Sequence, residues 1–268
     1  MPQSDVPVDP PQSLTREDGT VLAYYRTAGG KARSGAPAGR PGLIFLGGFM
    51  SDMSGTKALA LEAYARRRGR DFLRFDYRGH GQSSGRFEEA TIGDWLGDAL
   101  AVLDAASEGP QILIGSSMGG WIALLVARAR PERVAGLVGI APAPDFTEDL
   151  IWGRATPKQR AALESVGYVD RPSEYAATPY RITYRLIEEG RNHLLLNAPI
   201  PLACPVRLIH GMADVDVPWQ TSLRLAEALE SEDVEVTLVK AAAHRLSDPE
   251  DLARLERAIE EITVKTAT

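Results

Sequence analysis

Gln111-Ile112-Leu113-Ile114-Gly115-Ser116-Ser117-Met118-Gly119-Gly120-Trp121 is the stretch that decides the fold. An apolar run ends at Ile114, a turn of glycine and serine follows, and helical periodicity sets in at Met118 and runs to Arg130. Within the turn, Gly115-Ser116-Ser117-Met118-Gly119 fits Gly-x-Ser-x-Gly, set between a strand and a helix. Such a bend pushes its central serine outward on a strained backbone. Glycines at 115 and 119 remove side chains that would meet neighbouring main chain. Shifted to Ser116, the pattern loses its flanking glycines. The plainer alternative is a small-residue turn that merely packs a helix on a strand.

The same alternation extends outward in both directions. Apolar runs lie at Leu43–Leu46, Phe72–Asp76, Ile112–Ile114, Val134–Ile140, Val206–Ile209 and Val234–Val239. Helical patterns lie between them at Thr56–Arg68, Ile92–Ala106, Met118–Arg130, Trp219–Glu230 and Pro249–Ile262. Val21–Arg26, after the turn at Asp18-Gly19, reads as part of an opening antiparallel hairpin. Six runs and a hairpin predict an α/β fold: a mostly parallel eight-stranded sheet with helices on both faces. Residues 1–12 read as a flexible tail, 13–268 as one domain, and Ala28–Gly42, rich in Gly, Ala and Pro, as an exposed loop.

One segment breaks the alternation. Phe146–Pro201 follows the sixth strand, holds Tyr168, Tyr175, Tyr180 and Tyr184, and shows helical patterns at Lys158–Ser165 and Arg181–Glu189 but no convincing strand. It reads as a helical cap inserted over residues 146–201, above a site at the carboxyl edge of the sheet. The alternative is a helical pair that completes the core.

Composition narrows the function. With 30 Lys and Arg against 36 Asp and Glu, the net charge of −6 argues against a nucleic-acid partner. Cys204 is the single cysteine, which excludes an internal disulfide and a cysteine-rich zinc site. No apolar run approaches the roughly 20 residues that span a bilayer, so stable membrane insertion is not expected. Met1–Gln12 carries four prolines, two aspartates and no Lys or Arg, unlike a secretory or mitochondrial leader, and predicts a cytoplasmic protein.

Ser117 at the N-terminus of a helix suits nucleophilic attack, because the unpaired amides and the dipole there favour negative charge. A serine needs a base, usually imidazole. Of the four histidines, His80 precedes the serine, His193 lies in the insertion and His210 ends a strand, where it reads as a partner of its own turn. His244 alone combines a place after the last strand with acid candidates between itself and Ser117, which is the chain order serine, acid, histidine. Asp214 is the favoured acid, from His-Gly-x-x-Asp-x-x-Val-Pro. Asp216, which suits bracing the helix near Pro218, and Asp145, beyond the sixth strand, remain alternatives. Gly47-Gly48-Phe49-Met50 after the first parallel strand allows close backbone approach, so the amides of Phe49 and Met118 are the expected oxyanion donors. Met50, Trp152 and Tyr184 are expected to line the substrate pocket. Neither a metal nor an organic cofactor is required.

From about Leu43 to the C-terminal helix these motifs resemble the α/β-hydrolase superfamily. Residues 48–60, 109–121 and 208–219, His244-Arg245, Ala198–Pro201 and Cys204-Pro205 are similar to the mitochondrial palmitoyl-protein thioesterase / mycophenolic acid acyl-glucuronide esterase family. The resemblance implies Ser117 as nucleophile, Asp214 as acid, His244 as base, and Phe49 and Met118 as oxyanion amides. It also implies a serine hydrolase of acyl esters and thioesters, S-acylated proteins among its substrates. Other expectations are a carbon–carbon bond hydrolase or an acyltransferase on the same fold, or a non-catalytic binding protein. The superfamily's frequent His-Gly pair is Gly47-Gly48 here, which leaves no imidazole expected behind the oxyanion loop.

Overall fold

The computed structural model describes residues 10–29, 40–171 and 179–266. Its strands are β1 (Gln12–Thr15), β2 (Val21–Thr27), β3 (Gly42–Leu46), β4 (Phe72–Phe75), β5 (Gln111–Ser116), β6 (Val134–Ile140), β7 (Tyr168–Arg171), β8 (Tyr180–Thr183), β9 (Val206–Gly211) and β10 (Val234–Val239). The helices are α1 (Thr56–Arg68), α2 (Ile92–Ala106), α3 (Met118–Ala129), α4 (Pro157–Val166), α5 (Tyr184–Gly190), α6 (Gln220–Ala228) and α7 (Pro249–Thr266).

Eight strands form one sheet in the order β1-β2-β4-β3-β5-β6-β9-β10. β2 pairs antiparallel with β1 and β4, and all other neighbours are parallel. Strands β3, β4, β5 and β9 are buried at every position because both faces are covered. Leu43 and Phe45 of β3 and Ile112 and Ile114 of β5 pack with α1 and α7, while Ile44, Leu46 and Leu113 pack with α2 and α3. Helix α3, behind the serine turn, is buried from Met118 to Ala127, which explains its lack of a polar face. Residues 1–9 of the expected tail, 30–39 of the expected loop, and Tyr175 lie outside the described residues. Gln12, read as tail, already pairs with Tyr24.

The insertion departs from an all-helical cap. β7 and β8 form an antiparallel hairpin, so the pattern over Arg181–Glu189 is a strand end followed by α5. Each strand has four residues, too few for alternation to stand out. Cross-strand chemistry holds them: Asp170 faces Arg181 and binds it at 3.0 Å, and the Arg181 guanidinium lies 3.6 Å from the Tyr168 ring centre. The segment joins the α2–α3 side of the core through Phe146, Ile151, Leu163, Ile182, Leu186 and Ile187.

Two carboxylates fasten this segment, the half-buried Glu189 and the buried Asp145. Glu189 of α5 accepts the Gly93 N–H at the start of α2 (3.0 Å) and bonds His193 Nε2 (2.6 Å), whose own carbonyl accepts the Trp121 indole N–H (3.0 Å). Asp145 accepts the N–H groups of Leu195 and Leu196, each at 2.8 Å. Burial raises the Asp145 pKa despite those amides. Replacing Asp145 by Ala leaves both amides unpaired. Urea denaturation should show a loss of about 2–4 kcal/mol, and a variant as stable as the wild type would contradict this role.

Candidate active site

Ser117 sits at φ 54°, ψ −119°, a left-handed backbone that a residue with a Cβ adopts only under constraint. The constraint is visible. The Ser117 N–H donates to the Ile140 carbonyl (2.9 Å), and its own carbonyl accepts from Gly120 (2.9 Å) and Ala143 (3.1 Å). A Cβ on Gly115 would fall 2.4 Å from the Gly119 carbonyl oxygen, and one on Gly119 would fall 2.1 Å from that of Leu46. Both glycines are therefore required by β5, α3 and β3 meeting at one bend. Ser116 stays in the strand and is buried.

The bend brings Ser117 Oγ to 3.0 Å from His244 Nε2, and His244 Nδ1 lies 2.6 Å from Asp214 Oδ2. Only a donor can face that carboxylate, so the proton sits on Nδ1 and Nε2 is left to accept from the serine. The Asp214 side chain is fully buried and that of His244 is 18% exposed. Burial pushes the Asp214 pKa up, but hydrogen bonds from His210 and His244 outweigh it, and the net shift is well below the ordinary carboxylate range. Asp214 Oδ1 also accepts the N–H groups of Asp216 and Val217, both at 2.9 Å. A depressed carboxylate pKa contributes stability that is fully present above about pH 4 and is lost as pH falls further, so Asp214 is charged throughout the neutral range.

Asp216 thus supports Asp214 through its main chain rather than capping α6, whose first turn follows Trp219 without a side-chain cap. The Asp145 carboxylate is occupied by Leu195 and Leu196 and is not the partner of His244. His210 does more than brace its turn. Its Nδ1 meets Ser222 Oγ (2.7 Å), which leaves Nε2–H to be shared between Asp214 Oδ2 (3.2 Å) and the Val217 carbonyl (3.1 Å). Lys57, at the start of α1, donates to the Arg245 carbonyl beside His244, and burial lowers its pKa to about 8.

Opposite the bend runs the Gly47–Met53 loop. A Cβ on Gly48 would lie 3.4 Å from Ser117 Cβ, which puts this loop against the serine. Met118 opens α3, where first-turn amides have no partner within the helix. The Phe49 ring is wedged edge-on among Phe87 (4.7 Å), Phe146 (5.5 Å), Trp95 and Tyr180 (both 5.8 Å). An imidazole does stand behind this loop, contrary to the expectation from Gly47-Gly48: His80 Nε2 accepts the Met50 N–H at 3.3 Å. It arrives from the loop after β4, a connection that local sequence around Gly47 cannot reveal.

Met50 is exposed and borders a recess of about 440 Å³ with Phe87, Glu88, Asp170, Pro179, Tyr180 and Arg181. Trp152 and Tyr184 do not line that recess. Their rings lie 5.8 Å apart, and Arg160 and Arg191 sit over Trp152. His80, His210 and Lys57 escaped the sequence-based assignment of site residues. For the two histidines a signal existed, since His210 lies at the carboxyl end of a parallel strand and His80 just beyond one, the edge that also carries Ser117 and His244.

Residues 42–169 match the family model of serine aminopeptidase, S33. The chain is 42% identical over 256 residues to palmitoyl-protein thioesterase ABHD10, mitochondrial, of Bos taurus, covering 95% of this chain and 80% of the relative. The chain belongs to the α/β-hydrolase family. The structure of α/β hydrolase domain-containing protein 10 from mouse superposes with TM-score 0.84 at 41% identity, covering 95% of this chain and 98% of the other. A crystal structure from Agrobacterium vitis S4 gives TM-score 0.87 at 43% identity, covering 94% and 98%. Among the described residues no helix is long and apolar enough to cross a membrane.

Substituting Gly119 by Ala tests the packing of this family's serine bend. The added methyl meets fixed main chain, and urea denaturation should show a loss of about 3 kcal/mol or more. Unchanged stability would contradict the crowding described at the bend.

Proposed function

We propose that the protein is a serine hydrolase of acyl thioesters and esters that works through an acyl-enzyme on Ser117. The observation that carries this reading is the continuous hydrogen-bonded line from Ser117 Oγ through His244 to the buried, ionised Asp214. In the first half-reaction Ser117 Oγ attacks the acyl carbon while His244 Nε2 takes its proton. The imidazolium is stabilised by Asp214, which keeps its charge and itself takes up no proton. The tetrahedral oxyanion rests on the amides of Phe49 and Met118, an arrangement worth about 3–4 kcal/mol per donor in comparable enzymes. His244 returns the proton to the departing thiol or alcohol. Water then attacks the acyl-serine, again deprotonated by His244, and the acid leaves as Ser117 regains its proton.

The substrate class follows from the relatives: the bovine protein is named a palmitoyl-protein thioesterase. Carried to this chain, that name implies S-acylated cysteine of a protein or peptide as the physiological thioester. Cys204 is no rival nucleophile, because burial raises its thiol to about 11 and leaves it protonated at neutral pH.

Ser117→Ala should abolish labelling by a fluorophosphonate probe and lower kcat on an S-acyl peptide at least about 10³-fold. Asp214→Asn should lower kcat by about 10⁴-fold through the wrong histidine tautomer. Iodoacetamide at pH 7.5 should leave activity intact. Retained turnover in Ser117→Ala, or loss of activity on alkylation of Cys204, would end the proposal.

A further inference from the structure

His80 is buried yet belongs to no step of the reaction just described. Its two ring nitrogens have partners of opposite kind. Nδ1 lies 3.1 Å from the Arg78 carbonyl, which can only accept, and Nε2 lies 3.3 Å from the Met50 N–H, which can only donate. That pair of partners specifies a neutral imidazole protonated on Nδ1. Burial, which outweighs the Arg78 carbonyl and Asp98, lowers the His80 pKa and favours the same neutral state.

The ring itself has little freedom. Tyr77, Phe87 and Trp95 meet it edge-on at 5.7, 5.2 and 5.4 Å, and the Trp95 indole N–H donates to the same Arg78 carbonyl (3.2 Å). Phe87 and Trp95 also grip the Phe49 ring. One aromatic cluster therefore holds both the side chain of Phe49 and the group that binds its following peptide.

That peptide needs holding. Met50 adopts φ 59°, strained for a residue with a side chain. Rotation about the Phe49–Met50 segment would relieve the strain and would change the course of the loop that lies against Ser117 at Gly48. Farther along, the Met53 N–H donates to Asp76 Oδ1 (2.7 Å), and Ser51 Oγ–H closes the turn onto the Gly48 carbonyl (2.7 Å). The Ser51 N–H also donates to the Gly48 carbonyl (3.1 Å), so Ser51 holds the Gly48–Phe49 peptide at its oxygen, while the bond from the Met50 N–H to His80 holds the next peptide, Phe49–Met50.

We propose that His80 is a positioning residue for the oxyanion hole: its unprotonated Nε2 accepts the Met50 N–H and so aims the Phe49 amide at the oxygen that becomes negative when Ser117 attacks. The role rests on the serine-hydrolase reading above. It predicts an effect on the transition state rather than on ground-state binding, because the ester carbonyl gains its charge only on attack.

Two variants separate this from packing. His80→Phe keeps an aromatic ring and removes the acceptor. His80→Gln offers an amide oxygen near the position of Nε2. On a short-chain p-nitrophenyl ester, His80→Phe should lower kcat by about 10- to 100-fold with KM within about threefold of wild type. His80→Gln should recover kcat to within about fivefold. Nitrogen-15 NMR of the folded wild type should find His80 neutral, with the proton on Nδ1. Three results overturn the proposal: wild-type kcat in His80→Phe, a folded His80→Gln no better than His80→Phe, or a proton on Nε2. If His80→Phe fails to fold, the Gln variant and the tautomer decide. Wild type labelled by fluorophosphonate, with labelling lost in Ser117→Ala, assigns any such failure to His80 alone. An unlabelled, inactive wild type refutes the serine reading, and the positioning role falls with it.

Discussion

The arrangement depends on a single backbone constraint, the left-handed conformation of Ser117 where β5 turns into α3. That conformation is unfavourable for a residue with a Cβ, and it persists because the surroundings admit no other. Ile140, Gly120 and Ala143 hold the two sides of the serine peptide, while the main chain of β3 closes against Gly119 so tightly that one methyl group would collide. The bend lifts Oγ off the sheet and points the open end of α3 in the same direction. The serine hydroxyl and the unpaired amides of the helix thus come from one turn.

Everything else at the carboxyl edge of the sheet complements that turn. The loop after β9 brings Asp214, whose four hydrogen-bond donors keep it ionised in a fully buried position. The loop after β10 brings His244, and Lys57 steadies its neighbour Arg245. Two further histidines stand one layer behind, His210 against the acid and His80 against the Gly47–Met53 loop. Each faces a main-chain carbonyl that can only accept, Val217 at His210 Nε2 and Arg78 at His80 Nδ1, which is how a protein holds an imidazole in one tautomer. The insertion contributes Phe146 and Tyr180 to the packing around Phe49, so its seating on α2 through Glu189 and on α3 through the His193 carbonyl bears on the geometry of the loop beside Ser117.

Much of this was legible in the chain. Leu43–Leu46 and Ile112–Ile114 read as buried strands because both faces of the sheet are covered, and Gly115 and Gly119 announced a bend with no room for side chains. Ser117, His244 and Asp214, picked out by order along the chain and by placement after strands, lie together in space. The β7–β8 pairing was not legible, since four-residue strands give little periodicity and Asp170 and Arg181 stand 11 residues apart in the chain with no local pattern to join them. Nor was the bond between Met50 and His80, which joins two loops 30 residues apart with no local pattern to mark it. Side chains that act through a neighbour are written in tertiary structure, whereas those that create a bend are written in sequence.

Family membership and the hydrogen-bonded line at the serine converge on one chemical claim, that turnover passes through an ester of Ser117. The most direct measurement is peptide mass spectrometry of enzyme quenched with acid during turnover of an S-acyl thioester. The account predicts a mass increase of one acyl group on the peptide containing Ser117, gone once substrate is exhausted. An acyl group found on Cys204 instead, or a Ser117 peptide that never gains mass while product accumulates, would contradict it.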